Sequence, residues 1–280
     1  MSPAWVKSDR QWERERVRRS RARRSTSIAT ASTIVFLTLV AWIVTSSPGW
    51  PRVQESFFSV EAFATALPDV LDGFLLNVKI FLIAEPLILV VGLLVALARG
   101  IKTPAFFPIR ALATLYTDIF RGVPTLLVIY LVGFGLPGLR LQGVPTDLAT
   151  LGIIALTLSY GAYVAEVFRS GIDSVHPSQI AAARSLGLSH GKAMRFVVLP
   201  QAVRRVVPPL LNDFVSLQKD TALVATIGLM EALRQAQIFA SGKFNYTSYL
   251  VAALLFVLLT IPLARFTDHL AERTRRRRGA

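Results

Sequence analysis

Six long apolar stretches leave this chain few ways of folding in water. They run from Ile28 to Ser47, Leu71 to Ala98, Ile109 to Gly135, Leu148 to Phe168, Val203 to Met230 and Tyr249 to Phe266. A helix needs about 20 mostly apolar residues to cross a bilayer, so each stretch reads as one crossing. Charged residues make up 17% of the 280 positions and hydrophobic ones 53%, whereas a soluble domain carries roughly 25% charged residues. The expected fold class is an all-α membrane protein with six transmembrane helices. A disordered chain, a collagen and an ordinary cytosolic enzyme are excluded. The three histidines, at 176, 190 and 269, are scattered and there is no cysteine, so no metal site is expected.

Charge placement orients the chain. Of the 31 basic residues, 24 fall in four places: Lys7 to Arg24, Arg99 to Arg110, Arg169 to Arg205, and Arg265 to Arg278. The intervening loops hold Arg52, Arg140, Arg234 and Lys243. Lys and Arg accumulate on the cytoplasmic side, so both termini and the 169–205 segment are expected there. The same asymmetry accounts for most of the net charge of +14 without a nucleic-acid partner. The first apolar stretch exceeds a signal-peptide core, and TSSPGWP after it offers no small-x-small cleavage site, so it reads as a retained anchor. The basic run Arg16 to Arg24 is either an orientation signal or a contact with anionic lipid headgroups.

The segment from Gly171 to Pro200 has a design of its own. Pro177 suits the first turn of a helix, and Ala181, Ala182, Ala183 and Arg184 favour helix. Gly187 follows where a left-handed cap is wanted. Ser189 can cap a second short helix, which Pro200 is expected to end by disfavouring helix at Leu199. Ile180, Ala183, Leu186 and Leu188 would form an apolar patch flanked by Arg184 and Lys192. The patch either packs under its own bundle or docks a soluble partner.

This segment resembles the loop shared by membrane subunits of type I ABC importers. That pattern is E-A-A, three residues, G, nine residues, I, one residue, L-P. Here Ala181-Ala182-Ala183, Gly187, Val197 and Leu199-Pro200 keep the spacing, with Ala181 where the family usually has Glu. Tyr116 to Pro124 (YTDIFRGVP), Ala162 to Ile172 (AYVAEVFRSGI) and Leu217 to Leu223 (LQKDTAL) are similar to motifs of the polar amino acid permease branch. Together these cover roughly residues 70 to 268.

The resemblance implies a five-helix permease core at 71–268 containing the cytoplasmic loop 171–200. The chain adds a basic cytoplasmic N-terminus at 1–27, an extra transmembrane helix at 28–47, an extracytoplasmic loop at 48–70 and a basic cytoplasmic tail at 269–280. It implies a multi-pass protein of the bacterial cytoplasmic (inner) membrane that forms the translocation path for a polar amino acid or another small polar solute. The implied partners are a dimer of ATPase subunits, a second copy or homologous permease, an extracytoplasmic substrate-binding protein and membrane lipids. ATP and Mg would sit on the ATPase. The coupling residues would be Gln179, Ala181, Ala182, Ala183, Arg184, Gly187, Leu199 and Pro200, without the charge contact that a Glu at 181 would make.

Charges inside membrane spans are costly and mark partners or wet paths. Glu166 with Arg169, and Asp118 with Arg121, stand three apart and suit structural ion pairs on one helix face. In the fifth stretch Asn212, Ser216 and Lys219 share a face, beside Asp213 and Asp220. Pro208 and Pro209 can break the helix there, where a cavity would satisfy the freed carbonyls. This polar face either lines the transport path or a subunit contact, or forms stabilising interhelical hydrogen bonds. Glu85 reads as an isolated acid of the second stretch. Asp213 and Glu85 also leave room for an ion-coupled secondary carrier. No G-x-x-x-x-G-K-[ST] string and no catalytic set stands out, so the chain should not hydrolyse ATP itself.

Overall fold

A computed structural model describes residues 9–276 apart from Lys102, and every regular element among them is helical. The Lys7 end of the basic N-terminal segment, Lys102, and Arg277 and Arg278 of the tail lie outside the described residues. The chain divides into two units, residues 1–58 and 59–280. In the first, α1 (Asp9–Thr45) is one continuous 37-residue helix. Its apolar half carries exposed Ile34, Phe36 and Trp42. At about 1.5 Å per residue, the run from Ile28 to Thr45 is about 27 Å long, close to a bilayer core. A short helix, α2 (Trp50–Phe57), follows with Pro51 in its first turn.

The second unit is built around two long helices. α3 (Val60–Gly100) starts where the Ser59 side chain accepts the Ala62 N–H at 3.2 Å. α7 (Leu148–Asp173) starts where Asp147 accepts the Thr150 N–H at 2.8 Å; hydrogen bonds from Thr150 hold this exposed carboxylate below its usual range. A Cβ placed on Gly92 would stand 2.5 Å from Val164. The two helices therefore meet backbone to side chain, the small-residue contact of helices packed in lipid. A main core gathers Ile80, Ile88, Ile129, Leu156, Leu217 and Val224. A smaller one sets Phe74 against α11 (Ala232–Lys243) and α12 (Thr247–Arg276), with the Phe74 and Phe256 rings edge to face at 5.2 Å.

Several sequence expectations are corrected here. Residues 48–70, expected as a loop, are mostly helix: α2 and the first turns of α3. The third stretch is not one helix. α4 (Phe107–Gly122), preceded by a 3₁₀ turn at Pro104–Phe106, is separated from α5 (Thr125–Tyr130) by an extended Val123. The two arms are bent by 108°. Pro124 excludes helix at Val123, which takes φ −97 and ψ 130. A π turn at Leu131–Gly135 then leads into the short α6 (Leu136–Gly138).

The prolines of the fifth stretch act differently from expectation. After α8 (Pro177–Ser185) and α9 (His190–Ala193), the chain passes through a π turn, Met194–Val198, into α10 (Leu199–Asp220). Leu199 stays helical at φ −60 and ψ −44, its N–H bonded to the Met194 carbonyl. The wider turn absorbs Pro200 without ending the helix. Pro208 and Pro209 likewise lie inside unbroken α10, which ends only at Asp220, in a 3₁₀ turn at Thr221–Ile227.

Among the described residues, four helices are long and apolar enough to cross a membrane, and five if the bent pair is one span. The protein is thus a multi-pass helical membrane protein. α10 falls outside that group because Arg204, Arg205, Asn212, Asp213, Lys219 and Asp220 interrupt it.

Candidate functional site

Three polar constellations stand out, and the loop between α7 and α10 is the first. The His176 side chain accepts the Ser178 N–H at 3.2 Å and opens α8. At the other end the Leu188 N–H bonds the Ala183 carbonyl at 3.2 Å, and the Gly187 N–H bonds that of Arg184 at 3.0 Å. Gly187 takes φ +84. These features make a Schellman cap, in which a left-handed residue turns the chain sharply off the helix. The Ser189 hydroxyl then caps α9 through the Lys192 N–H at 3.4 Å.

The cap decides what the loop presents. Gln179, Ala181, Ala182 and Arg184 are exposed, and Ala183 is buried. Leu186 stands 83% exposed just before the elbow, and Phe196 and Leu199 are exposed beyond it, as is Pro200. The patch expected from Ile180, Ala183, Leu186 and Leu188 is therefore split. Ala183 turns inward, Ile180 and Leu188 are half-buried, and Leu186 points out, because the left-handed turn rotates the flanking residues to different sides. The Arg205 guanidinium donates to the Ser174 carbonyl, which ties α10 to the root of the loop.

The second constellation surrounds Glu166. Its carboxylate takes Arg99 of α3 at 2.7 Å, Arg169 of α7 at 3.3 Å and Arg121 of α4 at 3.7 Å. Arg169 also reaches Asp173 at 3.7 Å. The Asp118–Arg121 pairing expected from spacing is not formed. Asp118 is exposed, and Arg121 turns to Glu166 because the bend after α4 carries the end of that helix onto α7. One carboxylate thus joins three helices next to the loop.

The third lies along α10. Asn212 and Lys219 are exposed and Ser216 is half-buried, so this polar face points away from the chain's own core. Asp213 is half-buried, and its Oδ2 is enclosed without a hydrogen-bond partner. Glu85 of α3 is half-buried. It lines a pocket of about 270 Å³ with Leu89, Leu210, Phe214 and Phe266. Tyr160 of α7 donates to Asp220 Oδ2 at 2.6 Å.

Sequence reasoning missed Tyr160 and Gln218, the latter buried and accepting the Thr260 hydroxyl at 2.7 Å. It also missed a buried tie in which Asn77 Nδ2 donates to Glu231 Oε2 at 2.9 Å and to Thr221 Oγ1 at 3.3 Å. The Ala232 N–H returns a bond to Asn77 Oδ1 at 3.1 Å. The only signal was a lone Asn in an apolar run, which needed a partner somewhere.

Comparison with known proteins places these features. The sequence profile of the family described as "Binding-protein-dependent transport system inner membrane component" matches residues 88–276. The chain is 33% identical over 207 residues to the arginine transport system permease protein ArtQ of Bacillus subtilis (strain 168), covering 74% of this chain and 92% of that one. It is 35% identical over 206 residues to the probable glutamine ABC transporter permease protein GlnM of the same organism, covering 72% and 92%. Among solved structures, the crystal structure of an amino acid ABC transporter with histidines aligns with a TM-score of 0.70 at 31% identity, over 77% of this chain and 98% of that one. The inward-facing MetNI methionine ABC transporter shares the fold, with a TM-score of 0.58 at 19% identity, over 73% and 95%. The chain belongs to the family of binding-protein-dependent transport system inner membrane components.

Proposed function

We propose that this chain forms the translocation path of an ATP-driven importer for a polar amino acid. The relatives named for arginine and glutamine support that substrate class. The chain is a transport subunit, not an enzyme; ATP and Mg sit on two cytoplasmic ATPase subunits. An extracytoplasmic binding protein delivers the solute, and a second copy or a homologous permease completes the path. Six segments cross the membrane, α10 among them, its polar face turned to the path or to the second permease. Both termini and the 171–200 loop are cytoplasmic, as the 24-of-31 basic bias supports.

The observation that carries this reading is the capped α8, which ends in an outward Leu186; Arg205 of α10 holds the Ser174 carbonyl at the root of the loop, and the turn at 194–198 runs on into α10. In this reading a soluble subunit that moves the loop moves α10 with it. In this reading Gln179, Ala181, Ala182 and Arg184 face the ATPase. Ala181 brings no charge, so docking rests on shape and on burial of Leu186. The test is co-purification of the cognate ATPase with Leu186→Glu. A central contact converted to an unpaired buried charge costs about 2 kcal/mol or more, so affinity for the ATPase should fall roughly thirtyfold or further. Full retention would leave α8 as a packing hairpin.

A further inference from the structure

α4 does not run along the helices it touches. Near its start, Arg110 Nη1 donates to the Ile101 carbonyl at 3.4 Å, one residue past the end of α3. At its other end Arg121 shares Glu166 with Arg99, from the last turn of α3. Arg110 and Arg121 are about 16 Å apart along α4, yet both guanidiniums reach the C-terminal end of α3 or its Arg99–Glu166 pair, and α4 is bent 108° from the arm that follows it. α4 therefore lies across the end of the bundle. Two spans, α3 and α7, end at this level, and Glu166 and its arginines gather there, so it is the polar boundary of the membrane.

The outer face of α4 is apolar. Leu112 is 69% exposed, Leu115 55% and Ile119 47%. With Leu94 and Ala98 of α3, these residues line an open groove of about 560 Å³. Arg110 directly follows Ile109 of that lining and is half-buried, with its guanidinium over the Phe107 ring at 5.4 Å. Among the described residues no acid pairs with it. Asp118, the acid of α4, is eight residues on, about 12 Å along the helix. A guanidinium has five donors, and the Ile101 carbonyl takes one of them.

An amphipathic helix in the interfacial plane, with an open apolar groove and spare arginine donors at headgroup depth, fits one kind of occupant. We propose that the groove between α4 and α3 seats an acyl chain of an anionic phospholipid, and that Arg110 takes its phosphate. A zwitterionic lipid would fill the groove equally well but would gain less from the cation. The site is independent of the transport reading, and needs only that α3 and α7 cross the membrane.

The chain has no cysteine, so a bimane label at Leu112→Cys reports locally. Ile261→Cys, 56% exposed on α12, is the control. The full chain is reconstituted in bilayers holding equal small fractions of brominated phosphatidylglycerol or brominated phosphatidylcholine. At position 112 the anionic lipid should quench roughly two- to fivefold more than the zwitterionic one, as one basic contact near the surface implies. At 261 the two lipids should quench alike. Arg110→Gln should bring position 112 to parity while leaving 261 quenched, which shows that the variant is inserted; Arg110→Lys should keep the preference. Parity at 112 in the unaltered background, an undiminished preference in Arg110→Gln, equal preference at both positions, or no quenching at 112 while 261 is quenched would each overturn the proposal.

Discussion

Asp220 sits where α10 gives way to a 3₁₀ turn, and a single hydroxyl from α7 meets it: Tyr160, at 2.6 Å. A hydrogen bond to a charged group is worth about 1.5–3 kcal/mol, enough to fix the end of α10 against α7. Tyr160→Phe should therefore lower uptake roughly tenfold with the protein level in the membrane nearly unchanged. Asp220→Asn, which keeps an acceptor for the same hydroxyl, should lose less. Equal uptake in Tyr160→Phe and the unaltered protein would make the contact incidental. Asp220 and Lys219 were legible in the sequence because charge in an apolar run is conspicuous. Tyr160 was not, since a tyrosine in a membrane helix is unremarkable until its partner, 60 residues away, is known. The Asn77–Glu231 tie escaped for the same reason: Glu231 reads as a loop acid until α11 folds back on α3.

At the scale of elements, local signals were read correctly where the chemistry is local. Pro177, Ser189 and Gly187 sit at a helix start, a cap and a left-handed turn. The prolines of α10 misled because their effect depends on neighbouring turns. The π turn at Met194–Val198 takes up Pro200, and α10 runs unbroken through Pro208 and Pro209. At Val123–Pro124, with no such turn before it, a proline does break the path. Gly187 offers the sharpest element-scale test. Nothing stands within 4 Å of a Cβ added there, so a substitution meets only the cost of its positive φ, about 1 kcal/mol or more. Gly187→Val should loosen α8, weaken ATPase retention and reduce binding-protein-stimulated hydrolysis, more than Gly187→Ala, because branching adds strain. Membrane insertion should be unaffected. Full retention and coupling in Gly187→Val would show that the elbow does not set the docking geometry.

For the whole molecule, the proposed topology puts the loop and both termini on one side, as the charge bias supports. Ser178 is exposed on α8, and a cysteine there should resist an impermeant thiol reagent added outside intact cells and react after permeabilisation; labelling from outside would invert the topology. The number of crossings was the least legible global property, because α10 is polar along one face and the third stretch is bent by 108°. Neither looks like a plain span when read alone. The central claim is that a solute path in this chain is driven by ATP hydrolysed on separate subunits. The most direct measurement is uptake of a labelled polar amino acid into proteoliposomes containing this chain, its ATPase and its binding protein. Uptake should require ATP together with all three proteins, and should stop when the ATPase is omitted even if an ion gradient is imposed. Uptake driven by the gradient without the ATPase would contradict the account.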